Sequence, residues 1–119
     1  MNTVTILRDG KAIAQTILLA DNYFTRLKGL MFCNNLKNAD GLMLNPCNQI
    51  HTFFMKFDID AVFLDKLGIV LHIEENMQPS KVSKYVKKGK QVLELVSGQA
   101  CEKNIQVGDH LEIIRSNNN

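Results

Sequence analysis

Residues 41–65 combine a core-like apolar composition with side chains that could take part in chemistry. Within this stretch, Cys47, His51 and Met55 follow one another at a spacing of four residues. Thiolate, imidazole and thioether groups are ligands that suit Cu(I), and a Cys beside a His can also act as an activated nucleophile. Three further sulfur side chains lie nearby along the chain: Met31, Cys33 and Met43. The segment is therefore a candidate for soft-metal binding or for nucleophilic catalysis.

The backbone conformation of this segment decides whether the three side chains can meet. Residues four apart on a helix are neighbours at about 5–6 Å, whereas on a strand they lie about 13 Å apart, too far to share one ion. The run from Asn45 to Phe57 fits both patterns. Its β-branched and aromatic residues lead us to predict a strand. We therefore expect no metal site, with Cys47 and Met55 in or near the core and His51 bonded to the backbone. The helix, with a Cu(I) site, is the alternative.

Two carboxylates stand inside apolar runs that are typical of buried strands. Asp60 and Glu94 each have an aliphatic neighbour on both sides. An ionised carboxylate in such a place needs a cation or several N–H donors. We predict that Arg26 is their shared cation, because its planar guanidinium can serve two acceptors and stays charged when desolvated. Lys56 is a second candidate cation. Such a cluster would be a structural ion-pair network or the lining of a polar pocket.

Short β-rich runs and two helical segments have to position these side chains. Asp9-Gly10 is a turn signal that joins the first two predicted strands. A helix from Tyr23 to about Met31, capped by Asp21 or Asn22, contains Gly29, which favours a close packing contact or an early helix end. The other predicted elements are strands at 3–7, 12–18, 59–64, 68–73, 91–96 and 110–114 and a short helix at 98–104.

These elements predict an α+β fold, a single small domain with a largely antiparallel, barrel-like β-sheet and one or two short helices. We expect at least five strands, a globular domain over residues 1–116 and a disordered tail at 117–119. A length of 119 residues suits one domain. A content of 45% hydrophobic and 22% charged residues is an ordinary globular composition.

The sequence also predicts the cellular location of the protein. No run of about 18 apolar residues is present, so no membrane partner is expected. The N-terminal residues lack the basic start and apolar middle of a signal peptide. Three widely spaced cysteines do not make a disulfide framework. A reduced, cytoplasmic location is therefore expected.

Positive charge is concentrated in one segment of a chain whose net charge is only +2. Residues 81–90 contain no acid and five lysines: Lys81, Lys84, Lys87, Lys88 and Lys90. A nucleic-acid patch is one interpretation, but phosphate contacts are normally spread over several segments. We predict a solvated loop with Val82, Tyr85 and Val86 packed inward, and no nucleic-acid partner.

Five short motifs in order resemble the domain-of-unknown-function family 192. They are Arg26–Phe32, Gly41–Leu44, Met55-Lys56 with Ile59-Asp60 and Phe63, Val92–Leu95 with Gly98, and Ile105–Asp109. They cover nearly the whole chain, and Phe54 stands where many members have Trp. The resemblance implies a small α+β domain around a barrel-like sheet, with an extended segment at 45–57. It brings no established reaction, cofactor or catalytic residue. Many members are exported, which the absence of a signal sequence argues against here.

Three functions remain open. The first, which we prefer, is a non-catalytic binding module that presents a small polar pocket or rim to a small ligand or a protein. The second is a small enzyme with Asp60 or Glu94 as acid or base. The third is Cu(I) binding through Cys47, His51 and Met55. No phosphate loop, nucleophile elbow, CxxC or HExxH motif is present, so no catalytic signature supports an enzyme. The candidate pocket residues are Arg26, His51, Thr52, Met55, Lys56, Asp60 and Glu94.

Overall fold

Seven strands and two short helices form the structure, a computed structural model that describes residues 2–36 and 38–115. The elements are β1 (Thr3–Arg8), β2 (Lys11–Ala20), α1 (Tyr23–Lys28), β3 (Gly41–Leu44), β4 (Ile59–Leu64), β5 (Val70–Met77), β6 (Gln91–Val96), α2 (Gln99–Glu102) and β7 (Glu112–Arg115). The α+β class and the expectation of at least five strands are thereby confirmed. The tail predicted at 117–119 lies outside the described residues.

All seven strands belong to one mixed sheet with the order β5-β4-β6-β3-β2-β1-β7. β2 and β3 run parallel, and the other neighbouring pairs are antiparallel. The two edges of the sheet approach each other where Ile69 pairs with His110 and the N–H of Val70 donates to the carbonyl of Asp109. In the described part of the chain β5 and β7 are not themselves paired. The sheet is therefore not a closed barrel, and the barrel-like prediction holds only loosely.

The central strands of the sheet are buried on both faces. Every residue of β3 and β4 is buried, and β6 is exposed only at Val96, which explains their almost continuous apolar sequence. Because side chains alternate along a strand, the core divides into two clusters. The first cluster includes Met43, Val62, Leu64, Leu93, Leu95 and Ala100. The second cluster includes Leu30, Leu42, Leu44, Ile50, Met55, Ala61, Phe63 and Val92.

Helix α1 is a short surface helix. Asn22 starts it with a capping box, in which the Asn22 side chain accepts a hydrogen bond from the Thr25 N–H at 2.9 Å. The helix ends at Lys28 because Gly29 adopts a φ of 49°, so the early helix end predicted as one role of Gly29 is confirmed. None of the six helical residues is buried. The apolar side of α1 is therefore open to solvent. Neither α1 nor α2 has the length and apolar character needed to cross a membrane.

The backbone prediction is incomplete at one place and wrong at another. Strand β3 (Gly41–Leu44) was not predicted. Residues 45–57 form neither the predicted strand nor the alternative helix, and contain one isolated bridge, between His51 and Val82. Their backbone instead forms hydrogen bonds with residues 81–90, the lysine-rich loop, where the Thr52 N–H donates to the Lys81 carbonyl at 2.8 Å. A turn at residues 53–54 follows at once, so no regular ladder develops.

The lysine-rich loop, residues 81–90, is solvated as predicted, and all five of its lysines are exposed. The buried side chains within it are Ser83 and Val86. The Ser83 hydroxyl accepts the Ile50 N–H at 2.9 Å and fixes the loop against the segment after β3. Val82 and Tyr85 are 57% and 60% exposed. The prediction that these two pack inward is wrong, because Ser83 and Val86 occupy the inward positions.

Candidate functional site

A cleft with a volume of about 270 Å³ opens between α1 and the loop that follows β3. Its floor is the sheet face that carries the second apolar cluster, through Leu44 and Glu94. Thr52, Lys56 and Asp60, although predicted as pocket residues, do not line it. The other four predicted pocket residues do line it: Arg26, His51, Met55 and Glu94. Cys47, the candidate metal ligand, lines it as well.

Most of the cleft wall is apolar. Leu30, Leu44, Ile50 and Met55 are each less than 10% exposed and belong to the second cluster. Of these four, only Met55 was predicted as a pocket residue. Leu30 and Leu44 lie in two of the motifs of the family resemblance, but the hydrophobic pattern does not distinguish them from ordinary core residues.

Glu94 is a buried carboxyl group at the floor of the cleft, and one of its oxygens has no hydrogen-bond partner among the described residues. It lies on β6, with Leu42 of β3 and Ala61 of β4 beside it in register. The residue is 3% exposed, and its buried Oε1 has no hydrogen-bond partner within residues 2–36 and 38–115. Burial removes the water that would stabilise the charged form and raises the pKa of Glu94 to about 8. At neutral pH the group is therefore mainly a neutral acid that can donate a hydrogen bond.

Arg26 projects from α1 into the same cleft but is not the predicted partner of Glu94. The side chain is half-buried and lines the cleft. Within residues 2–36 and 38–115, the ion pairs are Arg8–Asp109 and Arg115–Asp21. The predicted pairing of Arg26 with Glu94 or Asp60 is therefore wrong, and Arg26 is a cation without an acid.

Asp60 is satisfied by the backbone on the opposite face of the sheet. Ala61, not Asp60, stands opposite Glu94 in the pairing of β4 with β6, so the alternation of side chains turns Asp60 away from the cleft. The carboxylate accepts three backbone N–H groups at 2.9 Å each, from Asn76, Gly98 and Ala100. Asp60 thereby ties β4 to the end of β5 and to the start of α2.

Thr52 has a structural role, whereas Lys56 points into solvent. Thr52 is fully buried, and its hydroxyl donates to the carbonyl of Gln78 at 2.6 Å and accepts the N–H of Lys81 at 2.9 Å. Thr52 therefore connects the segment after β3 to residues 78–81, which follow β5. Lys56 is exposed.

Cys47 is held as a thiol in the wall of the cleft. Its Sγ–H donates to the carbonyl of Gln49 at 3.2 Å. Burial is the main influence on the pKa of Cys47 and raises it. The hydrogen bond to Gln49 and the charge of Arg26 lower this pKa, whereas the charge of Glu94 raises it further. Cys47 is thus within electrostatic reach of both Arg26 and Glu94. A raised pKa disfavours the thiolate that a nucleophile or a metal ligand requires.

His51 lines the cleft with one ring nitrogen already engaged. Its Nδ1 accepts the N–H of Phe53 at 3.1 Å, and the two rings stack with centroids 5.2 Å apart. This bond to the backbone agrees with the role predicted for His51. In the part of the chain that the structure describes, no three His, Cys, Asp or Glu residues are placed to hold a metal ion. With the thiol of Cys47 donating to the backbone, we expect no specific metal here.

Two exposed apolar side chains of α1, Tyr23 and Leu27, line the cleft at 65% and 53% exposure. Phe32 and Phe54 follow and precede the lining residues Met31 and Met55 in the chain. Their rings stack with centroids 5.3 Å apart and are 61% and 62% exposed. Both phenylalanines have a positive φ, of 66° and 63°, a backbone conformation that is strained for a bulky residue.

Comparison with known proteins places the chain in a family. Residues 4–113 match the family model DUF192, described as "Uncharacterized ACR". A UPF0127 protein of Thermococcus sibiricus is 31% identical over 109 residues, which are 87% of this chain and 69% of that protein. A UPF0127 protein of Thermococcus kodakarensis is 32% identical over 89 residues, 67% of this chain and 57% of that protein. This chain therefore spans little more than half the length of the second relative.

A solved structure has the same fold. The crystal structure of a protein of unknown function from Novosphingobium aromaticivorans superposes with a TM-score of 0.80 and covers 92% of this chain and 83% of that one. At 23% identity this likeness concerns the fold alone. The match of the family model over residues 4–113 establishes that the chain belongs to the DUF192 family of uncharacterised proteins.

Proposed function

We propose that this protein is a non-catalytic binding module that holds a small ligand in the cleft, with Glu94 at its floor. The buried, unpartnered Oε1 of Glu94 carries the proposal. A buried polar atom without a hydrogen bond costs roughly 1–3 kcal/mol. Its place in the wall of a cavity fits a group whose partner is supplied by a ligand.

The size and lining of the cleft support a small ligand with one polar end. A volume of about 270 Å³ lies just below the roughly 300–1,000 Å³ of pockets for drug-sized ligands. Leu30, Ile50 and Met55 offer contact to an apolar body. Arg26 and Glu94 are the polar groups that would orient its other end.

An enzyme is the second candidate, because a pKa of about 8 suits Glu94 to proton exchange near neutral pH. The other carboxylate of that hypothesis, Asp60, is bonded to three N–H groups on the far side of the sheet. The raised pKa of Cys47 also disfavours a nucleophile beside Glu94. We therefore prefer binding without catalysis.

A titration with three six-carbon probes tests the proposal. Hexanoate, hexanamide and hexylamine share one apolar tail and differ in their polar end. At millimolar concentration, at least one of them is expected to shift the backbone amide NMR signals of residues 26–30, 47–51 and 94 and to saturate. The signals of residues 66–68, in the turn between β4 and β5, serve as the internal control. Shifts from none of the probes, or shifts scattered over the whole surface, would contradict a binding cleft.

A further inference from the structure

We propose that the ligand is a small apolar carboxylic acid, whose carboxylate binds between the Arg26 guanidinium and the Glu94 carboxyl group. This inference rests on the proposed function and narrows it to one chemical class. Two groups in one cleft, each lacking the partner that its chemistry requires, point to it. A carboxylate satisfies both together, because it accepts hydrogen bonds from each.

The first of these groups is Arg26. It is half-buried in the cleft wall and has no acidic partner among the ion pairs of the described residues. Lys28 lines the same cleft and likewise takes part in none of those pairs. The planar guanidinium matches a carboxylate in two parallel hydrogen bonds. A half-buried arginine facing a cavity is therefore suited to an oxyanion.

The second group is Glu94, which is 3% exposed and takes part in no ion pair within residues 2–36 and 38–115. Its neighbours on the sheet, Leu42 and Ala61, carry no charge. The titratable and charged residues that line the cleft around it are Tyr23, Arg26, Lys28, Cys47 and His51. With burial raising the pKa of Glu94 to about 8, the group keeps its proton at pH 7. Its O–H can then donate to a carboxylate, a short and strong type of hydrogen bond.

The charges of the cleft disfavour the opposite class, a ligand with an amine. At pH 7 Arg26 and Lys28 are positive, and Glu94, the acid in the cleft, is mainly neutral. A cationic ligand would lie beside two like charges and would have to displace the Glu94 proton. An anionic ligand is attracted by the two cations and leaves the proton in place.

Hexanoate and hexylamine, measured with matched variants, test the inference. We expect hexanoate to bind the wild-type cleft at pH 7 and hexylamine to bind at least tenfold more weakly. Raising the pH to 9 is expected to weaken hexanoate roughly tenfold, because only about a tenth of Glu94 is then protonated. Glu94→Gln keeps a hydrogen-bond donor and should bind hexanoate equally well at both pH values. Arg26→Gln should weaken binding at least tenfold, whereas Lys66→Gln, which removes an exposed cation outside the cleft, should not.

Each other outcome overturns a defined part of the account. If hexylamine binds in the cleft more tightly than hexanoate, and Glu94→Gln abolishes it, the ligand class is wrong while the binding function stands. If hexanoate binding is independent of pH and survives Arg26→Gln, the carboxylate does not lie between the two groups. If no probe binds, the proposed function fails as well. Amide spectra of each variant without probe verify that the fold is unchanged.

Discussion

Replacement of Glu94 by glutamine is expected to stabilise the protein progressively as the pH rises from about 4.5 to about 8. Burial raises the pKa of Glu94 from 4.5 to about 8 in the folded chain. Between these values the folded state keeps a proton that the unfolded state has lost, so the stability of the wild-type protein falls with rising pH. Above pH 8 both states are ionised and the loss is complete. Below pH 4.5 both are protonated and glutamine brings little benefit.

The expected size of this effect makes it measurable. The shift corresponds to about 4–5 kcal/mol between the two limits, a large share of the 5–15 kcal/mol that holds a typical domain folded. Urea unfolding followed by circular dichroism at pH 5, 6, 7, 8 and 9 gives the difference between the variant and the wild-type protein. Glu75→Gln on β5, where the side chain is exposed, is the control and should change little. A difference for Glu94→Gln that is constant over this range would contradict a protonated Glu94.

Replacement of Asp60 by alanine is expected to destabilise the protein by about 3–5 kcal/mol. The change leaves three N–H groups without their acceptor, those of Asn76, Gly98 and Ala100. Asp60 itself is fully buried, so water cannot readily replace the carboxylate. Asparagine retains one acceptor oxygen and should lie between alanine and the wild-type residue. The free energy of unfolding from urea titrations at pH 7 measures the series.

A second aspartate provides the matched control for Asp60. Asp40 also accepts backbone N–H groups, from Gln15 and Thr16 at 3.1 and 3.0 Å, but it is exposed. Water can serve those donors in its absence, so Asp40→Ala should cost about 1 kcal/mol. If Asp60→Ala costs no more than Asp40→Ala, the carboxylate does not hold β4, β5 and α2 together as described.

The sequence predicted those elements whose signals are local. Strands β4 and β6 begin and end at the predicted residues, because each is a mainly apolar run bounded by polar residues. Asn22 was one of two predicted caps for α1, and the capping box follows from its side-chain chemistry. Strand β3 was missed because four apolar residues are too few to establish a period, and its parallel pairing with β2 is a tertiary contact.

The residues that depend on tertiary contacts were harder to predict. The composition of residues 45–57 favours a strand, but hydrogen bonds to the lysine-rich loop hold this segment in an irregular conformation. The pairing of Arg26 with Asp60 and Glu94 failed because the register of β4 against β6 turns the two carboxylates to opposite faces. The hydrophobic pattern of one sequence does not determine how β4 and β6 are aligned. The pattern did select both acids as buried, and one of them lies at the floor of the cleft.

The protonation state of Glu94 in the folded protein is the most direct test of this account. Carbon-13 NMR of the side-chain carboxyl groups, with the Glu94 signal assigned by its loss in Glu94→Gln, gives the titration of that one residue. The account predicts a midpoint near pH 8 in the free protein and a higher midpoint in the presence of saturating hexanoate, whose carboxylate favours the protonated form. A midpoint near the ordinary value of 4.5 would mean that Glu94 is charged at neutral pH, and it would contradict both the neutral floor of the cleft and the carboxylate site built on it.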